Sequence, residues 1–234
     1  MTGPRIALIS AVPAAMAPAA DALRTGFPEA QVWHLLDDRL LSDAAGAGGP
    51  TAPLRARMRR LIEHAVAGGA DAVLLTCSLY GVVAQELDGE GGRAVPVLAP
   101  DAAAFERLAS GGYQHVLVIA SLEAALRDSM DRLRTALAHD APTAGGVEVS
   151  GVVVPGALAA GDLGALVEVL AGAASEPAAT ADAVFLAQYS LAPAAPGLAV
   201  ALEVPVVSGP TSAAHALRAA LLKGSCATAL PKEA

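Results

Sequence analysis

The chain has 234 residues, and 15 basic against 23 acidic side chains leave a formal net charge of -8, a poor basis for unaided nucleic-acid binding. Apolar residues at 54% against 16% charged exclude an intrinsically disordered chain. Only three Phe, three Tyr and one Trp occur, so the core must be aliphatic and platforms for stacked bases are scarce.

In chain order, Arg5 followed by the apolar Ile6 to Val12 imitates a secretory signal, but Pro13 stops the run and Ile6–Ser10 reads as a strand. Further β-branched runs predict buried parallel strands over Gln31–Leu35, Ala72–Thr76, Val95–Leu98, His115–Ala120, Glu148–Val154, Ala183–Ala187 and Val204–Val207. Helix-length segments between them include Pro53–Ala67, Ala102–Ser110, Leu122–Ala138, Asp162–Ala173 and Ser212–Leu222. The Gly/Ala-rich Ala44–Pro50 reads as a mobile loop, 139–147 and 174–180 as surface connections, and Gly224–Ala234 as a frayed tail. The uncharged stretch Ala183–Leu202 is long enough to span a bilayer. Gln188, Tyr189 and Ser190 in its middle, with Pro193, Pro196 and Gly197 after them, predict instead a buried strand followed by a loop, and no membrane span is expected.

Strand and helix alternate throughout, which defines an α/β chain with right-handed crossovers. An internal repeat refines this. Ile6–Ser10 corresponds to Val116–Ala120, Ala70–Leu75 to Ala181–Leu186, and Val95–Val97 to Val204–Val206, all at displacements close to 110 residues. The expected fold is therefore two pseudo-symmetric Rossmann-like lobes with parallel sheets, one formed by 1–98 plus 206–234 and the other by 99–205. Ligands of open parallel sheets bind beyond the carboxyl ends of the strands, so an active-site cleft is expected between the lobes.

Those strand ends carry the polar chemistry. The strand ending at Thr76 runs into Cys77-Ser78-Leu79-Tyr80, and its repeat partner runs into Gln188-Tyr189-Ser190-Leu191. A thiol where a strand meets a helix is exposed to amide donors that favour the thiolate, and a modest depression from about 8.5 makes it a base or nucleophile at neutral pH. A buried, inert Cys is the competing reading. Hydroxyls of Thr76 and Ser78 are placed to hold a carboxylate beside Cys77. Ser10 and Ser121 close the first strand of each lobe, where they contact an anion or cap the next helix. Asp37 and Asp38 follow a strand and serve as site residues or as turn residues. Ser208 to Ser212 reads as a turn with a helix cap, and Arg55, Arg57, Arg59 and Arg60 as a solvated basic face. Cys77 and Cys226 make neither a disulfide framework nor a zinc site, and Cys226 has no polar motif around it; a reducing, cytoplasmic setting fits. His34, His64, His115, His139 and His215 lack metal-ligand spacing, so no metal is expected. The absence of G-x-G-x-x-G after Ile6–Ser10 argues against a nucleotide.

Gly69 to Ser78 resembles the first cysteine motif of the aspartate/glutamate/hydantoin racemase superfamily, and Ala181 to Ser190 lies where its second cysteine motif stands. The resemblance covers nearly the whole chain and implies two Rossmann-like lobes, a small carboxylate substrate held between them, and no cofactor. It implies Cys77 as the catalytic residue, with Gln188 and nearby hydroxyls binding carboxylate; taken with the strand-end readings, Ser10, Asp38, Thr76, Ser78, Ser121, Gln188, Tyr189 and Ser190 are the expected substrate contacts. The departure is at Gln188: family racemases place a second thiol there, and an amide cannot shuttle a proton. The two-thiol mechanism is thus replaced by single-cysteine chemistry, in a racemase or isomerase acting on an amino-acid-like or dicarboxylate substrate. A decarboxylase or lyase needing one protonation, and a carboxylate-binding regulatory protein without catalysis, are the alternatives. Homodimers are common among relatives, and no surface stripe specifies an interface.

Overall fold

Among the described residues eight strands run parallel in two sheets, and the central ones are runs of Val, Ile, Leu and Ala, because a strand covered on both faces can carry apolar side chains at every position. The computed structural model describes residues 3–91, 94–140 and 146–227, and the side chains of these except at 139–140 and 223–227. The tail beyond 227, the Cys226 side chain and residues 141–145 of the expected connection lie outside the described residues.

The chain divides into two units, Met1–Ala99 with Ala213–Ala234, and Pro100–Ser212. The first contains β1 (Arg5–Ser10), α1 (Met16–Gly26), β2 (Gln31–Leu36), α2 (Leu40–Gly46), α3 (Ala52–Ala67), β3 (Ala72–Leu75), α4 (Gly81–Gly89) and β4 (Val97–Leu98), in sheet order β2-β1-β3-β4. The second contains α5 (Ala102–Ser110), β5 (His115–Ala120), α6 (Glu123–Asp140), β6 (Glu148–Val153), α7 (Leu163–Ala178), β7 (Ala183–Leu186), α8 (Ala195–Leu202) and β8 (Val206–Ser208), in the matching order β6-β5-β7-β8. The sequence reading put 206–212 with the first lobe. Val206–Ser208 instead pairs with β7, and this register holds the segment in the second unit. Helix α9 (Gly209–Ala227) passes from one unit to the other. From Ala213 onward it packs on the first unit, where Gly26 leaves room for Ala214 and His215 and Arg218 pairs with Glu29 at 2.5 Å.

Alternation along the strands assigns the faces. Ala7, Ile9, Val73 and Leu75 face Met58, Ile62 and Ala65 of α3. In the second unit Val116, Val118 and Phe185 face α5 and α6, while Leu117, Ile119 and Val184 face α7 and α8. Two expected loops are helical. Ala44 to Gly46 belongs to α2, and Ala195 to Leu202 forms α8 after a 3-10 segment, Tyr189–Ala194. Pro196 enters at the helix start, where its missing N–H costs nothing. Gly197 packs close to α7, since a Cβ there would stand 2.9 Å from Val167 Cγ2. Helix α7 likewise runs to Ala178 through part of the expected 174–180 connection. Among the described residues no helix is long and apolar enough to cross a membrane.

The repeat has a structural cause at the other end of the strands. Asp71 accepts the backbone N–H of Arg5 at 2.7 Å, and its repeat partner Asp182 accepts those of Gln114 and His115 at 2.7 and 2.9 Å. Each carboxylate satisfies donors at the start of the neighbouring strand that the ladder leaves open. The N–H bonds from His115 and Gln114 hold the Asp182 carboxyl below its ordinary 3.8. A depressed folded-state value contributes stability above the unfolded value, and that contribution disappears as pH falls through the folded one. Asp182→Asn is therefore expected to flatten the acid limb of the stability–pH profile, read from denaturant midpoints between neutral pH and about pH 3. An unchanged acid limb would rule this role out.

Candidate active site

In a sheet of order β2-β1-β3-β4 the chain leaves β1 in one direction and β3 in the other, so the crevice for a ligand opens beyond the carboxyl ends of β1 and β3. Those ends carry Ser10 on one side and Thr76 and Cys77 on the other. In the second sheet the equivalent ends of β5 and β7 carry Ser121 and Gln188. Backbone bonds at the two places correspond: Thr76 N–H donates to Ile9 O and Ala187 N–H to Ile119 O, both at 3.0 Å. The residue that follows is Cys77 in one unit and Gln188 in the other.

Cys77 leaves β3 in extended conformation, with φ -118° and ψ 113°, and its carbonyl accepts the Tyr80 N–H at 3.1 Å as the chain turns into the 3-10 segment Ser78–Tyr80. Its side chain packs against the first unit's core and stays partly exposed, which suits a reactive thiol better than a sealed one. Tyr80 is fully buried and donates its hydroxyl to Leu40 O at 2.8 Å. Burial raises the Tyr80 phenol above its ordinary value. Ser78, next to the thiol, is half-buried, and its hydroxyl has no hydrogen-bond partner among the described residues.

Ser10 and Thr76 do something different from what their positions suggested. Both are buried, and Thr76 Oγ1 donates to Ser10 Oγ at 2.9 Å, so the two hydroxyls lock β1 to β3 beneath Cys77. Ser10 caps no helix, since the following 3-10 segment begins after Val12 without a side-chain cap bond. Asp37 is also committed. Arg57 grips it through Nε and Nη2, both at 2.6 Å, and reaches Asp43 at 3.0 Å. Asp38 is exposed beside this cluster and takes no part in it. The expected solvated arginine face of α3 is largely paired: Arg55 and Arg59 meet Glu86 at 3.5 and 2.8 Å, and Arg59 also meets Glu90 at 2.8 Å. These partners sit 14 or more residues away from their arginines in sequence, beyond the reach of a helical-face reading.

In the second unit, Gln188 Oε1 accepts both the Ser121 backbone N–H at 2.6 Å and the Ser121 hydroxyl at 2.9 Å. Both donors of Ser121 thus meet the Gln188 carboxamide oxygen. Tyr189 is buried, and its hydroxyl donates to Pro100 O at 3.1 Å. Burial pushes its phenol well above the ordinary value. Ser190 is half-buried, with no hydroxyl partner among the described residues. Farther along, Ser208 Oγ donates to Thr211 Oγ1 at 3.1 Å at the start of α9.

A cavity of about 310 Å³ lies between the end of α4 and β4, lined by Leu87, Asp88 and Val95 to Val97 among others. It contains none of the strand-end residues and a single carboxylate, so it offers no acid/base pair. Among the described residues no group of three or more His, Cys, Asp or Glu side chains is arranged to hold a metal ion.

The paired sheets and their shared strand order define an α/β protein of two similar units. Solved structures share this fold. A glutamate racemase from Bacillus anthracis superposes with a TM-score of 0.70 at 13% identity, covering 96% of this chain and 84% of its own. An allantoin racemase from Pseudomonas fluorescens gives 0.64 at 20% identity, covering 98% and 99%. An unliganded arylmalonate decarboxylase gives 0.56 at 20% identity, covering 94% and 93%. The fold is the one implied by the resemblance to the aspartate/glutamate/hydantoin racemase superfamily. No protein-family model matches the sequence, and no curated protein matches it by sequence.

Proposed function

We propose that this chain is a cofactor-independent enzyme of the racemase and isomerase type, acting on a small carboxylate with Cys77 as its single reactive side chain. The observation that carries the reading is the asymmetry of two otherwise matching strand ends: a partly exposed thiol at one switch point and a clamped carboxamide at the other. The names of the solved neighbours, racemases and a decarboxylase, support the class. The half-buried hydroxyls of Ser78 and Ser190 and the Gln188 amide are the groups proposed to bind carboxylate oxygens. Asp38, exposed after β2, is the residue proposed to meet a substrate amine. Ser10, Thr76, Ser121 and Tyr189 support them. A reducing, cytoplasmic compartment suits the role, since it keeps Cys77 a thiol.

One thiol supports two balanced routes that conserve mass. As an acid/base, the thiolate takes the proton α to the carboxylate and the electron pair spreads onto the carboxylate oxygens; configuration inverts when the planar enediolate turns its other face to the thiol before the proton returns, and return to the same face gives exchange alone. As a nucleophile, the thiolate adds to a double bond conjugated with a carboxylate and the π pair moves onto that carboxylate. Rotation about the new single bond follows, and the returning pair expels the thiolate. A second reading, favoured by the missing second thiol, is decarboxylation: the C–C bond to a carboxylate breaks, carbon dioxide leaves, and Cys77 protonates the resulting enolate once.

Incubation with a panel of α-amino, α-aryl and unsaturated dicarboxylic acids, with no metal or cofactor added, tests the class. Turnover of a panel member is expected, and release of carbon dioxide separates the lyase from the mass-conserving isomerase. Tight calorimetric binding of a panel member with no turnover would point instead to a carboxylate-binding regulatory protein.

A further inference from the structure

Hydrogen-bond bookkeeping at the end of β7 fixes which end of the Gln188 carboxamide faces outward. A backbone N–H can only donate, so the atom 2.6 Å from Ser121 N must be the amide oxygen. The Ser121 hydroxyl donates to the same oxygen at 2.9 Å, filling its second lone-pair direction. The amide plane is then set, and both Nε2 hydrogens project from the other side. Among the described residues nothing accepts them, and Nε2 is not sealed from solvent. Gln188 is therefore a donor-only group, held by a residue 67 positions away that is itself buried.

We propose that Gln188 is a fixed two-proton donor for an anionic oxygen of the substrate, and that Ser121 is the positioning residue that holds it in that orientation. The proposal deepens the function argued above and rests on it for the identity of the ligand as a carboxylate. A clamped amide loses little rotamer entropy on binding, and donors aimed in advance at an acceptor discriminate for it and against another donor. A carboxylate or enediolate oxygen fits, whereas an ammonium group would meet like polarity. Where a racemase-type site needs a second acid/base, this chain supplies a charge-stabilising donor that holds its protons.

The composition makes the test direct. The chain has four Gln and no Asn, so only four side-chain carboxamides contribute to the NH2 region of a ¹H–¹⁵N spectrum, and Gln188→Ala identifies the pair belonging to Gln188. The probes are maleate, phenylmalonate and aspartate. Titration is expected to shift the Gln188 pair with at least one probe. Gln188→Glu keeps an oxygen for both Ser121 donors but turns the outward donors into an acceptor, and it is expected to raise the apparent Kd about tenfold or more with the backbone spectrum preserved. Ser121→Ala leaves only the backbone N–H on the amide. It is expected to broaden or move the Gln188 pair and weaken binding by about threefold or more, and Ser121→Thr, which restores a hydroxyl, should reverse both changes.

No movement of the Gln188 pair with any probe, or wild-type affinity in Gln188→Glu, would overturn the donor role. An unmoved pair and unchanged affinity in Ser121→Ala would overturn the positioning role. Cys77→Ser separates this proposal from the reading beneath it: a Gln188 shift alongside a fully active Cys77→Ser would sink the thiol chemistry and leave the donor standing.

Discussion

Replacing Cys77 with Ser or Ala is expected to lower turnover of the substrate found in the panel by about three orders of magnitude or more, with the folded state unchanged. General acid/base or nucleophilic groups contribute roughly 10²- to 10⁴-fold, and the corresponding strand end of the second unit carries Gln188 in place of a thiol. Because Cys77 is partly exposed and no core position is emptied, the thermal midpoint should stay near that of the parent. Steady-state kinetics with a parallel melting curve decide the matter. Retained kcat in a folded Cys77→Ala variant would remove the thiol from the chemistry.

Arg132→Met is expected to produce the largest loss of stability in the second unit, about 3–5 kcal/mol by denaturant unfolding. Asp101 is only 2% exposed, and Arg132 Nη1 meets it at 2.8 Å while Nε meets Asp128 at 2.9 Å. The guanidinium also lies over the Phe105 ring, 5.5 Å from its centroid. Burial opposes the charge on Arg132, but Asp101 and Asp128 outweigh that and raise its pKa above the ordinary value. Removing the cation leaves a carboxylate buried beside Pro100, the residue whose carbonyl anchors Tyr189. The double variant Asp101→Asn/Arg132→Met should recover part of the loss, since the buried carboxylate is then neutral. A change within about 0.5 kcal/mol for Arg132→Met alone would show that the pair is not a structural support.

Much of this architecture was legible in the residues. His115–Ala120 and Ala102–Ser110 stand where periodicity put them, because a run of apolar residues ending at Ser121 and an amphipathic segment ending at Gly111 carry their own boundaries. The repeat pointed to two units because each Ala-Asp-Ala-Val run does the same job, its Asp satisfying the neighbouring strand's N–H groups. Helix α8 was hidden by Pro196 and Gly197, which normally end helices. Here the first sits at the helix start and the second is needed for close packing against Val167.

At the candidate site the sequence marked the strand ends but not who binds whom. Ser10 and Ser121 occupy matching places, yet one hydroxyl is taken up by Thr76 and the other by Gln188. Those pairings depend on strand register across more than sixty residues, which no local pattern encodes. Tyr189 looked like a site residue because it follows Gln188 in a polar run. The 3-10 turn at that point sends its ring inward to the Pro100 carbonyl.

The most direct test of single-thiol chemistry is ¹H NMR in deuterated buffer, comparing wild type with Cys77→Ser on the same carboxylate panel and resolving the enantiomers of any chiral α-proton acid. The account predicts exchange or conversion by wild type alone, with deuterium entering at the α-carbon or in the isomerised product only where Cys77 is intact. Exchange or conversion that survives in Cys77→Ser would contradict it.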